Sequence, residues 1–342
     1  MKCYTNNNIS IAKSIGIILM VIGHSGCPGW MFYFIYLFHM PLFFFLSGYC
    51  FKDQYVNNKK TFILKRIKTL YMPFVLYNIL FILLHNLLFR IHIHATAYSW
   101  SDYINFIPKV LAMGFTEVNL GPYWFLRYLF LASILFLLIM FCLYNYSQYI
   151  KYIVMLLPII TIISHMNIFS WLPSYILFLS IFFYGSGYLM KNITINKSVW
   201  FWFGLFFIVA IGSVFIHSHM LMMDNKDIIP YCLFAIIGII GVLSLSLCIS
   251  SSSLLWIKKI MVYIGNHSLV ILTWHFLVFD FISLFYLKII LKQPFTSVEP
   301  ICLHSNLGGL HFIIYTILGI ILPLLIHRLF KFENIKRIFH IG

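Results

Sequence analysis

Apolar stretches of about twenty residues recur along the chain with scarcely a charge inside them, and this repetition limits the fold more than any other feature. A helix needs about 20 predominantly apolar residues to cross the hydrocarbon core of a bilayer. The composition agrees: 62% of the residues are apolar and 9% charged, against roughly 45–50% and about 25% in a soluble domain. A water-soluble fold is excluded on this ground, and no hydrophilic stretch is long enough to hide a soluble domain between spans. The expected class is an all-α integral membrane protein with about ten transmembrane helices. They are expected near 9–25, 33–51, 70–91, 122–144, 150–167, 171–190, 200–217, 231–250, 263–287 and 311–331. The first does not read as a cleavable signal, because its apolar run carries Lys13 and lacks a small-x-small cleavage pattern.

Lys and Arg outnumber Asp and Glu by 23 to 8, a balance that by itself would suit a nucleic-acid binder. Most of these cations, however, sit in short connections between spans, where they set orientation and meet anionic lipid. The bilayer is therefore the expected partner and nucleic acid is not. Lys2, Lys52, Lys59, Lys60, Lys65, Arg66, Lys68, Lys151, Lys191, Lys197, Lys258, Lys259, Arg328, Lys331, Lys336 and Arg337 fall on one side; Arg90, Lys109, Arg127, Lys226, Lys288 and Lys292 fall on the other. The richer side is the cytoplasmic one, so both termini are expected in the cytoplasm. Connections 92–121 and 288–310 are then external, and their Pro, Gly and His content suggests caps folded back over the spans. Seven cysteines show no CxxC or metal-like spacing and read as core thiols. Cys27 and Cys302, both in external loops, are the one pair placed to form a bridge. No internal repeat is visible, which argues against the inverted-repeat design of many transporters.

Ionisable groups inside a span cost several kcal/mol unless they face protein or water, so Lys13 and His24 are functional candidates. Eleven residues at about 100° each place them about 20° apart around one helix and roughly 16 Å apart along it. Such a face offers a cation toward the cytoplasm and an imidazole farther out; the alternative is that Lys13 snorkels to one interface and His24 marks the other. In Phe38-His39-Met40-Pro41-Leu42-Phe43-Phe44-Phe45-Leu46-Ser47-Gly48, the Ser-Gly pair admits a helix or ligand close to the backbone, and Pro41 frees a carbonyl. His39 is expected to bond across to a neighbour. The basic run Lys65-Arg66-Ile67-Lys68 precedes Tyr71-Met72-Pro73; at a helix start, its free N–H groups and the positive dipole end favour phosphate. Glu117 reads as a solvated loop acid or as the orienter of an imidazole. His275 reads as a mid-membrane residue bonding across helices, and Asp280 as interfacial. Arg127, one turn into the fourth span, reads as a contact for an anionic acceptor group or as an interfacial anchor.

These segments, together with Tyr123-Trp124-Phe125-Leu126 and with Ile264-Gly265-Asn266-His267-Ser268-Leu269 followed by His275, resemble the acyltransferase 3 family. Its members are integral-membrane O-acyltransferases that use acyl-CoA to modify glycans and related hydroxyl compounds. Within it, the chain resembles the stand-alone fucose-4-O-acetylase-like members. The resemblance runs in order over almost the whole chain and implies a single membrane domain over 1–342, without a separate soluble domain, in a bacterial inner or plasma membrane. It further implies transfer of acetyl from cytoplasmic acetyl-CoA, as donor co-substrate, to a sugar or glycan hydroxyl, with no metal. A hydroxyl needs a base near neutral pKa, a task that suits His24; His24 accepting the acetyl group itself is the other possibility. Ser47, Trp124, Asn266 and Ser268 are the expected oxyanion donors, with His275 beside them. Lys13, Lys65, Arg66 and Lys68 are expected to bind the CoA phosphates, and His39, Glu117, Tyr123 and Arg127 the acceptor. Lys13 stands where many members carry Arg, so a point charge replaces a bidentate fork. The rival reading is a transporter or flippase for a lipid-linked saccharide, since intramembrane His and Lys also serve proton relays. The sequence names no particular sugar and no oligomeric state.

Overall fold

A computed structural model of the chain describes residues 6–167, 172–290, 292 and 311–329, and among these there is no β-strand. Helix α1 (Asn6–His24) runs unbroken and is followed by α2 (Gly29–Tyr36), α3 (His39–Tyr49), the single turn α4 (Gln54–Asn57) and α5 (Lys59–Arg66). A π-helical turn (Ile67–Tyr71) leads into α6 (Met72–Arg90); α7 (Trp100–Leu111) and a 3-10 stretch (Val118–Tyr123) precede α8 (Trp124–Cys142). Then come α9 (Ile150–His165), α10 (Tyr175–Leu189), α11 (Val199–Phe215), α12 (Ile228–Ser251), α13 (Leu255–Asn266), α14 (Ser268–Phe285) and α15 (His311–Leu329).

Eight helical segments among the described residues are long and apolar enough to cross a bilayer, and α10 and α11 are shorter apolar helices. Ten apolar segments thus stand in the expected order. At 1.5 Å per residue, the 15 residues of α10 and 17 of α11 reach only about 22–26 Å, short of the ~30 Å hydrocarbon core.

Three expectations are corrected. The second span is two helices, because Pro41 has no N–H to offer and its ring crowds the preceding turn; Phe38, at φ −136°, marks the break. The ninth is interrupted at His267, between α13 and α14. The third begins at Lys59 rather than near residue 70. The cysteines are also less buried than expected: Cys232 is in the core, whereas Cys50 and Cys142 are exposed. The Cys27–Cys302 pairing lies outside the described residues, as does most of connection 288–310.

The described chain divides into two compact units, the first comprising Met1–Met20, Pro28–Pro73 and Trp124–Asn266, the second Val21–Cys27, Phe74–Tyr123 and His267–Gly342. In the first, α3 and α10 approach through glycines. A Cβ at Gly48 would collide with the Tyr184 carbonyl, and one at Gly187 with the Phe45 carbonyl. Ala132, Leu157, Leu177 and Ile181 form a core where α8, α9 and α10 meet. In the second, Gly319 of α15 admits Phe279 of α14, and Ser283 bonds the Tyr315 hydroxyl at 2.8 Å. Helix α7 starts on a capping box. Asp102 accepts from the Ser99 hydroxyl (2.7 Å) and N–H (2.8 Å), and these bonds hold its carboxyl below the usual carboxylate range.

Candidate active site

In the first unit three of the four cations expected to hold phosphate, Lys13, Lys65 and Arg66, fall near the end of α3 together with Lys52, which was not expected there. Lys13, Arg66, Lys65 and Lys52 all act electrostatically on the Cys50 thiol, in the residue that follows α3. Lys13 and Arg66 are half-buried, while Lys65 and Lys68 are exposed. Arg66 stacks over Phe62 at 4.9 Å and donates from Nη2 to the Tyr184 hydroxyl at 3.0 Å; its Nε is buried without a partner among the described residues. The Ser47 hydroxyl, on the same stretch of α3, is buried without a hydrogen-bond partner among the described residues. One part of the expectation fails. Lys65, Arg66 and Lys68 do not sit at a helix start, because the helix already begins at Lys59 after Asn58. Their N–H groups lie inside the helical run, so only side-chain charge remains for an anion. Tyr184 was missed by sequence reasoning; the small residues that follow it, Gly185-Ser186-Gly187, were the available signal of a close approach.

Other expected site residues of this unit lie elsewhere in it. His39 is buried and donates from Nδ1 to the Ile35 carbonyl at 2.9 Å, which also accepts the Phe38 N–H at the break before α3. Asn266 is exposed at the end of α13 and accepts from the Ser10 hydroxyl at 2.7 Å. Trp124 opens α8 with its ring 6.2 Å from that of Tyr128, and the Arg127 guanidinium lies 5.5 Å from the same ring.

In the second unit the half-buried ring of His24, at the end of α1, meets two side chains of α14. Its centroid is 5.7 Å from that of His275 and 5.0 Å, edge-on, from Phe276. His275 is fully buried. Among the described residues it does not bond across helices: Nδ1–H is shared by the carbonyls of Ile271 and Leu272 on its own helix, each at 3.0 Å. Those carbonyls can only accept, so in the neutral ring Nε2 carries the lone pair; it is buried with no partner among the described residues. Ser268 opens the same helix. Tyr123 is buried and shares a 2.6 Å bond with the Thr273 hydroxyl. Asp280 is buried and accepts from the Asn119 amide.

Glu117 is also corrected. It is 1% exposed, not a solvated loop acid, and it orients an imidazole, that of His85. His85 Nδ1 and Glu117 Oε1 lie 2.6 Å apart and share a proton, while His85 Nε2 donates to the Thr96 carbonyl at 2.9 Å. The Tyr98 hydroxyl donates to Oε2 at 2.8 Å, and Asn78 Oδ1 accepts the Glu117 N–H at 2.9 Å. The His85 ring is stacked between Tyr98 (3.4 Å) and His94 (4.1 Å, planes 7° apart). The donor atoms of His85, His94 and Glu117 are close enough to suggest a metal cage. The ring geometry opposes that: lone pairs lie in the ring planes, and two parallel planes 4.1 Å apart do not meet at one ion. Both His85 nitrogens are already engaged as well. This is a hydrogen-bonded stack.

The second unit thus brings the His24 imidazole against a buried imidazole neighbour, and the first groups cations near the end of α3. No curated protein and no solved structure matches the chain. The family model described as "Acyltransferase domain", that of acyltransferase 3, matches residues 6–328, nearly the whole chain. With this match added to the helical membrane fold, the chain belongs to the acyltransferase 3 family.

Proposed function

We propose that this membrane acyltransferase moves an acetyl group from cytoplasmic acetyl-CoA to a hydroxyl of a sugar or cell-surface glycan. The observation that carries the reading is α1: one unbroken helix bears Lys13, grouped with Lys52, Lys65 and Arg66, and, eleven residues on, His24 against His275. Phosphate-seeking charge and a protonatable ring on one rigid element suit a long donor with phosphates at one end and a thioester at the other.

In the proposed step His24 takes the proton from the acceptor hydroxyl as its oxygen attacks the thioester carbonyl. The resulting tetrahedral oxyanion collapses with cleavage of the C–S bond. The thiolate of CoA leaves and recovers the proton from the imidazolium. His275 Nε2, fixed as an acceptor by the carbonyls behind its ring and without a partner among the described residues, is the group we assign to receive a ring N–H of His24 once the imidazolium forms. Tyr123, held by Thr273, stands in the same unit as these two rings.

Purified protein in nanodiscs, given acetyl-CoA labelled in the acetyl group and a panel of glycans and lipid-linked sugars, should release CoA and place label on one acceptor class. Label appearing on no hydroxyl compound, with acetyl-CoA neither bound nor consumed, would reject the donor. A flippase would instead move lipid-linked sugar between leaflets without consuming acetyl-CoA.

A further inference from the structure

Helix α7 carries two apolar faces, of which the protein covers one. Along it, Tyr103, Phe106 and Val110 form one row. Phe106 stacks on Phe115 at 4.4 Å and meets Tyr98 at 4.9 Å, and Val110 is fully buried. Beside that row Trp100, Ile104 and Ile107, spaced i, i+4 and i+7, are 85, 69 and 43% exposed. Ser101, Asp102, Asn105 and Lys109 occupy the opposite side. Three rows in this order describe a helix with one flank against its own protein, an apolar underside and a polar top.

Its depth follows from how its start is tied down. Asn86 of α6 bonds the backbone of Tyr98 twice, Nδ2 donating to the carbonyl at 2.9 Å and Oδ1 accepting the N–H at 2.7 Å. Asn86 lies four residues, or about 6 Å, before Arg90, where the span ends. The residues leading into α7 are therefore held level with the last turn of a membrane-crossing helix, where headgroups meet acyl chains. The exposed row Leu76, Leu80, Leu83 and Leu87 of α6 continues the lipid-facing surface up to that level. With Leu111, 48% exposed at the end of the same row, the exposed side chains number four, too few for a stable protein interface, which buries on the order of 1,000 Å².

We propose that α7 lies in the plane of the membrane at the bilayer interface where α6 ends, with Trp100, Ile104 and Ile107 immersed in phospholipid and Asn105 and Lys109 facing water. Trp at the first position suits this level, since its indole is apolar with one polar edge. The helix thereby holds Tyr98, and through it the Glu117 stack, against the lipid surface.

The test places an environment-sensitive fluorescent amino acid at Ile104, Ile107, Asn105 or Lys109 of the full chain in phosphatidylcholine nanodiscs. Quenching is then compared between lipids brominated near the headgroup end of their acyl chains and aqueous iodide. The proposal predicts bromolipid quenching with blue-shifted emission at 104 and 107, and iodide quenching at 105 and 109. Iodide quenching at 104 and 107 overturns it by exposing that row to water. Resistance of 104 and 107 to both quenchers also overturns it, because another protein surface then covers them. Two positions on each face keep the outcome readable if one variant fails to fold.

Discussion

An imidazole alone at the end of α1 would be free to turn; His24 is not alone. The ring of His275 is held by two backbone carbonyls, so its Nε2 can present only an acceptor toward its surroundings while it stays neutral. If that acceptor steadies His24, His275→Gln, which keeps an acceptor at the side-chain end, should retain most activity. His275→Leu should lower kcat about 10–100-fold, the rate equivalent of a charge-assisted hydrogen bond, with KM for acetyl-CoA unchanged. Equal losses in both variants, or a change confined to KM, would make His275 a packing residue. Glu117 has a different task. Glu117→Ala strips the partner from buried His85 and from the Tyr98 hydroxyl and should cost about 3–5 kcal/mol, read as a lowered melting temperature in micelles. Glu117→Gln should cost less. The pairing of Lys13 with His24 was legible because helical periodicity is local. The pairing of His85 with Glu117 was not, since it joins residues 32 apart through the folding of a loop. Its only trace was an acid in an otherwise acid-poor stretch.

At the scale of elements, the apolar runs marked the helices well and their interruptions poorly. The break before α3 had a visible cause in Pro41, yet an aromatic-rich run reads as continuous to any periodicity argument. Likewise Asn266, His267 and Ser268 are adjacent in sequence but divided by a helix break, so Asn266 closes α13 in the first unit while Ser268 opens α14 in the second. The basic run before Pro73 was mistaken for a helix start because its apolar neighbours begin there; Asn58 had already begun the helix. The reading of Ser47-Gly48 as a place of close backbone approach fits the contact of α3 with α10. Gly48→Val should therefore prevent that contact, since the added atoms meet the backbone of Tyr184 rather than a movable side chain. Loss of folded protein on size exclusion is the expected outcome; a well-folded, active variant would mean the helices can part without consequence.

For the whole molecule, the class was the most legible property because it follows from composition: few soluble folds tolerate 62% apolar residues, whereas a bilayer requires them. The family match over 6–328 agrees with the order of the motifs along the chain. Which side chains meet was harder to read, since contacts such as Arg66 with Tyr184 depend on packing between distant segments. The central claim is a division of labour along α1, and steady-state kinetics of two variants test it most directly. Lys13→Ala should raise KM for acetyl-CoA with kcat nearly kept, and His24→Ala should lower kcat by about 10²–10⁴-fold with that KM nearly kept. A His24→Ala enzyme that turns over at the wild-type rate, or a Lys13→Ala enzyme that loses kcat alone, would contradict the account.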